Sequence, residues 1–429
     1  MKKFLTAILA ASLFILLAPA TALAAIQDPA GNTLGAPYTS GEEYEIDKTA
    51  PEVVEINLIT GTPTNATTVQ FEVVFSETVT GVEQDDFSLN TSGLTGASIQ
   101  SVAGSGATYT VTVSTGAGNS GTLALVIPAS ATIQDEVGNA LAGLPITSAA
   151  YTIDRVIPTV SITGNPPADS NNTSATFLFT GSDNEGSISF ECKLDGGDWQ
   201  VCTSPVELTG LSAGEHTFSV RAVDTAGNVS AAESYTWTVD LTAPQVVSIM
   251  RVGNSPTNAN AVQFLVTFSE AVTNVDSNDF VVVADGVSGA AVSGISGSGS
   301  TRTVTVNTGS GDGTLRLDIP DTATITDLAG MGISNKPFTD GESYTIDKTP
   351  PQVVSITRNM LSPTNAQQVT FTVTFSEPVT GVTPEVFTVV TTGTIQDAYV
   401  VSVTGSGTTY TVTVDTGIGS GTIRLDVLP

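Results

Sequence analysis

The stretch VQFLVTFSE, Val262–Glu270, sets Val262, Phe264, Val266 and Phe268 on one side of an extended chain and Gln263, Leu265 and Thr267 on the other. A period of two marks a half-buried strand, because successive side chains of a strand point to opposite faces. The stretch returns as VQFEVVFSE (Val69–Glu77) and as VTFTVTFSE (Val369–Glu377), so the chain is read first as an array. Each copy is preceded by TPTNA or SPTNA (Pro63, Pro256, Pro363) and, further upstream, by PEVVEI at Pro51 or PQVVSI at Pro244 and Pro351. Each is followed by a Gly-Ser-Gly turn, an alternating TYTVTV-like run, and GTLRLDIP or a near copy.

A shorter unit of a second type opens with PTVSIT at Pro158 and contains ATFLFTGSD, FECKLDGGDWQVC and GEHTFSVRAVDTAGN. The four openings are spaced by 107, 86 and 107 residues. Roughly seven alternating runs, punctuated by Gly, Asn, Asp and Pro, fill each ~100 residues, and none has helical spacing. An all-β fold of tandem antiparallel two-sheet sandwiches is the expected solution.

Met1–Ala24 reads as a secretory signal peptide, with Lys2-Lys3, an apolar run and the small-residue end TALA. Its removal leaves 11 basic against 42 acidic residues. Such a chain repels phosphate backbones, so no nucleic-acid partner is expected. No later stretch approaches the ~18 apolar residues of a membrane span, so no membrane insertion is expected either. Only 13% of residues are charged, which suits a secreted or cell-surface, extracellular protein covered by Thr, Ser, Asn and Gly. With Gly196–Asp198 as a three-residue hairpin loop, Asp195 faces Trp199, Lys193 faces Val201 and Cys192 faces Cys202. Cross-strand partners lie within disulfide reach, and an oxidising compartment favours the bond over two free thiols.

Through SPTNA…V.F.VTFSE.VTGV…DF, ATI.D.AGN and YTIDKTAP, the first, third and fourth units resemble the bacterial immunoglobulin-like repeats of large surface adhesins. The second resembles a related module through F.C.LDGG.W..C and AGEHTFSVRAVDTAGN. The resemblance implies an all-β tandem array of immunoglobulin-like antiparallel β-sandwich domains. Residues 25–50 form the C-terminal portion of a repeat. Domains follow at 51–157, 158–243 (second type, one disulfide), 244–350, and 351–429, which lacks its last strand.

In such a sandwich the turn after the second strand and the turn before the last strand lie at the pole where the first strand begins. That logic gathers Asp47, Glu77, Asp135 and Asn139 at the first repeat. It gathers Asp154, Asp183, Glu185, Asp224 and Asn228 at the second, and Asp240, Glu270 and Asp327 at the third. Gathered carboxylates are costly unless a cation neutralises them, and hard oxygen ligands favour calcium as the cofactor. On the other reading each D..GN is a tight turn in which aspartate bonds its own backbone and the linker aspartates are solvated. Met331 takes the asparagine's place in the third repeat, which weakens that junction on the calcium reading.

Residues 25–50 match Thr324–Pro350, the part that the fourth unit lacks before Pro429. Two readings follow: a fragment of a longer gene, or head-to-tail self-association in which the head of one molecule completes the tail of another. Catalysis is not expected. His216 is the only histidine, and Asp85–Asp86 reads as a surface turn because DDF returns as NDF at Phe280 and EVF at Phe387. Trp199 and Trp237 are read as packing residues. The expected function is that of a non-catalytic exported adhesin or stalk, stiffened by calcium, whose partner is a protein or glycan on a host or neighbouring cell. The alternative is an accessory, glycan-binding region of a secreted polysaccharide-active enzyme.

Overall fold

A computed structural model describes residues 26–428, so the signal-peptide expectation for Met1–Ala24 lies outside the described residues. The described residues are all-β: strands connected by turns, with three short 3-10 segments among them at Gln84–Asp86, Ser277–Asp279 and Pro384–Val386. It divides into two compact units, one ending at Val156 and one beginning at Ile157.

The third repeat shows how the repeated stretch builds its sandwich. Ala261–Phe268 is central in a sheet ordered Val246–Arg251, Ala261–Phe268, Thr301–Asn307, Ala291–Ser296. The facing sheet is Val281–Asp285, Gly313–Asp318, Ser343–Ile346, and all these pairings are antiparallel. The alternation resolves as expected: Phe264 and Val266 are fully buried, with Val262 and Phe268 close behind. They meet Leu315, Leu317, Tyr344 and Ile346 from the facing sheet in one core. Each such side chain contributes about 1.5–3 kcal/mol by leaving water. The first repeat, in the other unit, has the same two sheets, with Tyr151 on Phe71 at 5.0 Å as Tyr344 is on Phe264 at 5.3 Å. GTLRLDIP opens on glycine because a Cβ on Gly313 would meet the Asp285 carbonyl oxygen at 1.9 Å.

In the second repeat a five-stranded sheet centred on Gly214–Asp224 packs against three strands, Thr159–Gly164, Ala175–Ser182 and Val206–Leu208. Cys192 and Cys202 are bonded, with Cα atoms 5.8 Å apart. Their register differs from the sequence expectation: Cys192 faces Gln200, and Cys202 faces Phe190. The reason is the turn. Asp195 (φ 50°) and Gly196 (φ 73°) both take left-handed backbone, and Gly197 N–H donates to the Leu194 carbonyl. The hairpin therefore closes one residue earlier than Gly196–Asp198. A two-residue slip keeps both cysteines on one face, so the bridge forms diagonally.

His216 is buried against Trp237. Its Nδ1 lies 2.7 Å from Asp195 Oδ2 and its Nε2 2.9 Å from the Ser212 carbonyl. Both ring nitrogens thus face acceptors, which only the imidazolium satisfies with two N–H groups. The Ser212 carbonyl, then Asp195, raise its pKa above 6.5 against the opposing effect of burial. A raised histidine stabilises the fold fully below its unfolded pKa and loses that contribution as pH rises through the folded one. The melting temperature of the second repeat should fall on going from pH 6 to pH 8, and His216→Gln should flatten that slope.

The expectation of a surface turn at Asp85–Asp86 holds for Asp85 alone, which is exposed, whereas Asp86 is 3% exposed. Asp86 Oδ1 accepts from Thr132 N–H at 2.6 Å and Thr132 Oγ at 3.1 Å, and its Oδ2 accepts from Glu83 N–H at 2.9 Å. Asp279 repeats the arrangement with Thr324 and Asp276. These aspartates are buried struts that tie a 3-10 turn to a loop 45 or 46 residues away in sequence.

Candidate metal centres

In the unit ending at Val156, carboxylate oxygens of Asp47, Glu77 and Asp135 lie within 4.8 Å of one another. The two-residue strand Gln134–Asp135 pairs with Val79–Thr80, which carries Asp135 to the end of the Thr68–Phe75 strand, where Glu77 follows. Asp135 Oδ1 accepts from the N–H groups of Val137, Gly138 and Asn139, at 3.0, 2.7 and 2.8 Å. The Asn139 amide donates to Asp135 Oδ2 at 2.6 Å, so Asn139 clasps the turn with its nitrogen. Burial opposes ionisation of Asp135, but the Asn139 amide and these N–H groups hold its pKa below the usual value. Glu77 is pushed up, first by burial and then by the charges of Asp47 and Asp135.

In the unit beginning at Ile157, Asp240, Glu270 and Asp327 form an equivalent group within 4.8 Å. Here Met331 takes the asparagine's place. Its N–H donates to Asp327 Oδ1 at 2.8 Å, but no side-chain amide reaches Oδ2, which is buried without a hydrogen-bond partner. Met331 thus leaves a 2%-exposed carboxylate with an orphaned oxygen in a group with two other acidic side chains. Burial, followed by Asp240 and Asp327, raises the pKa of Glu270.

In the second repeat Asp183 and Asp224 carboxylate oxygens lie within 4.8 Å. Asn228 donates to both oxygens of Asp224, from its backbone at 2.8 Å and its amide at 2.7 Å. Asp183 Oδ1 is buried without a partner, and its Oδ2 accepts from Glu185 N–H at 3.1 Å. Glu185 itself is exposed. Asp154 ends the Ile146–Asp154 strand, is 1% exposed, and accepts from Val156 N–H at 3.0 Å.

One pair escaped the sequence reading. Asp347 and Glu377 line one cavity with Asp312; burial and then the neighbouring Asp347 raise the pKa of Glu377. The signal was present, since both sit in repeated motifs, YTIDKTP and FSE.

Three carboxylates within 4.8 Å supply hard oxygen donors, and the single histidine and the disulfide-bonded cysteines lie elsewhere. That donor set suits calcium, which takes 6–8 oxygens in flexible geometry, better than zinc. The orphaned Asp327 oxygen fits a cation, because a buried carboxylate oxygen without a partner is costly.

No protein-family profile matches the chain, and no curated protein matches it. Among solved structures it is similar to domains 1–6 of the surface layer protein SbsC, at 16% identity and a TM-score of 0.24 over 89% of this chain. The chain spans about half of that structure, 53%. It is similar to invasin, a bacterial integrin-binding protein, at 10% identity and a TM-score of 0.33, covering 87% of this chain and 78% of that one. It is also similar to fibronectin(III)-like modules of Clostridium thermocellum CbhA, at 18% identity and a TM-score of 0.26, covering 43% and 94%. The chain's own antiparallel sheets pack as two-sheet sandwiches in tandem.

Proposed function

We propose that the chain is a non-catalytic, exported, immunoglobulin-like array that works mechanically, as a cell-surface adhesin or the stalk carrying one, with calcium stiffening its joints. Its modules are 51–157, 158–243, 244–350 and 351–429, with 25–50 the end of a further repeat. Its partner is a protein or glycan on a host or neighbouring cell. Among the described residues no helix is long and apolar enough to cross a membrane.

One observation carries the calcium reading: the buried, partnerless Asp327 Oδ2 within a group that also contains Glu270 and Asp240. Asp240 lies just after the Glu233–Val239 strand that ends the second repeat, and Glu270 and Asp327 belong to the third. A cation held by all three ties the linker to the next sandwich. Limited proteolysis within Asp240–Pro244 tests this. Calcium should slow cleavage relative to EDTA in the wild type and leave the rate unchanged in Asp327→Asn. Equal cleavage of the wild type in calcium and EDTA removes the proposal.

A further inference from the structure

Among the described residues the backbone pairings are antiparallel except at one place that recurs in three repeats. In the first repeat Thr64 runs parallel to Ile153 of the last strand: Thr64 N–H donates to the Thr152 carbonyl and Asp154 N–H to the Thr64 carbonyl, each at 3.0 Å. In the third, Thr257 N–H donates to the Thr345 carbonyl at 2.9 Å and Asp347 N–H to the Thr257 carbonyl at 3.0 Å. In the second, Asp169–Ser170 lies parallel to Thr238–Val239. Each time, a segment just beyond the opening strand lies along the strand that ends the same repeat.

At the first of these parallel clamps the chain leaves through Arg155, which turns back onto it. Arg155 N–H donates to the Asn119 carbonyl at 2.7 Å. Its guanidinium, half-buried, donates to the carbonyls of Gly118 at 3.0 Å, Ala66 at 3.1 Å and Asn65 at 3.4 Å, and to Thr115 Oγ. Thr115 Oγ in turn donates to the Ala66 carbonyl at 2.9 Å. A guanidinium suits this work because its planar fork fixes several donors at once. In a chain with 13 basic and 42 acidic residues, this cation is directed at uncharged oxygens of two loops. Lys348 occupies the same place in the third repeat, its Nζ donating to the Gly309 carbonyl at 2.9 Å and Asn260 Oδ1 at 3.3 Å. The second repeat has the clamp without the cation: Leu241, 43% exposed, follows Asp240.

We infer that Arg155 and Lys348 are tension latches, the side chains that set how hard the first and third repeats resist being pulled open. The inference rests on the mechanical reading of the array and uses no metal. Tension enters a repeat at the start of its opening strand and leaves at the end of its last. The two members of a parallel clamp are then drawn from opposite ends, so their hydrogen bonds are sheared together. An antiparallel pair drawn from adjoining ends opens one bond at a time. Arg155 sits at the exit, and pulling on the chain beyond it loads the guanidinium's bonds to Asn65 and Ala66 along with those of neighbouring Thr64. Charge-assisted bonds therefore break in the same step as the clamp.

Stretching the signal-free chain by its ends in EDTA, at constant force, tests the inference. The first and third repeats, 107 residues each, release longer steps than the second, whose 86 residues are shortened by the Cys192–Cys202 bridge. Arg155→Met with Lys348→Met should open the two long steps at least about ten-fold faster and leave the short step unchanged, because forced opening follows the unfolding rate. Arg155→Lys, the third repeat's solution, should recover most of the first repeat's resistance. Asp86→Asn, which weakens the first repeat outside the clamp, should lower its melting with far less effect on opening under force. Long steps that are unchanged in the double variant, or accelerated as much by Asp86→Asn as by Arg155→Met, overturn the latches and leave the mechanical reading standing. A wild type whose repeats all open without measurable resistance removes both.

Discussion

Asp279→Ala is expected to destabilise the third repeat by about 3–4 kcal/mol, the sum of orphaning two backbone donors and losing charge-assisted hydrogen bonds. The Asp279 carboxylate, 1% exposed, is the shared acceptor for Thr324 N–H at 2.6 Å, Thr324 Oγ at 3.1 Å and Asp276 N–H at 2.8 Å. Water cannot replace it at that depth. Asp279→Asn keeps one carbonyl acceptor and should lose roughly half as much. Hydrogen exchange of the Ala261–Phe268 amides, central in the sheet, reads the loss locally. A change below about 1 kcal/mol would mean that the strut is not what joins the 3-10 turn to the Thr324 loop.

The second large effect is calcium's. At 100 times its dissociation constant, an ion bound only by the folded state adds ~2.7 kcal/mol. Calorimetric melting in calcium and in EDTA should show this gain in the transition that carries the third repeat, and Asp327→Asn should remove it. The variant has a further signature. Asparagine removes one of three gathered negative charges, so in EDTA the variant should melt above the wild type, while in calcium it should melt below. A merely structural aspartate would lower melting in both.

Much of the fold was legible because alternation is a local property. Phe264 and Val266 announce their burial by the polar residues between them, and the repeated copies multiply the signal. What escaped depended on three-dimensional detail. Asp86 and Asp279 look like polar turn residues, and only the return of Thr132 and Thr324 to the same place buries them. The Cys192–Cys202 register slipped because left-handed Asp195 closes the hairpin early, which composition does not reveal. At the acidic groups, sequence spacing pointed to the aspartates and to Glu77 and Glu270, whose repeat positions carry them to one pole. It could not reveal which atom of asparagine faces inward. Asn139 turns its nitrogen to Asp135, so its amide secures the loop. Met331, which looked in the sequence like a weakness, is what leaves Asp327 Oδ2 unsatisfied.

Calcium titration calorimetry on the EDTA-stripped chain, wild type beside Asp327→Asn, bears most directly on the account. The expected result is saturable binding by the wild type, with one ion fewer per chain in the variant. No binding by the wild type, or the same stoichiometry and heat in both proteins, would contradict it.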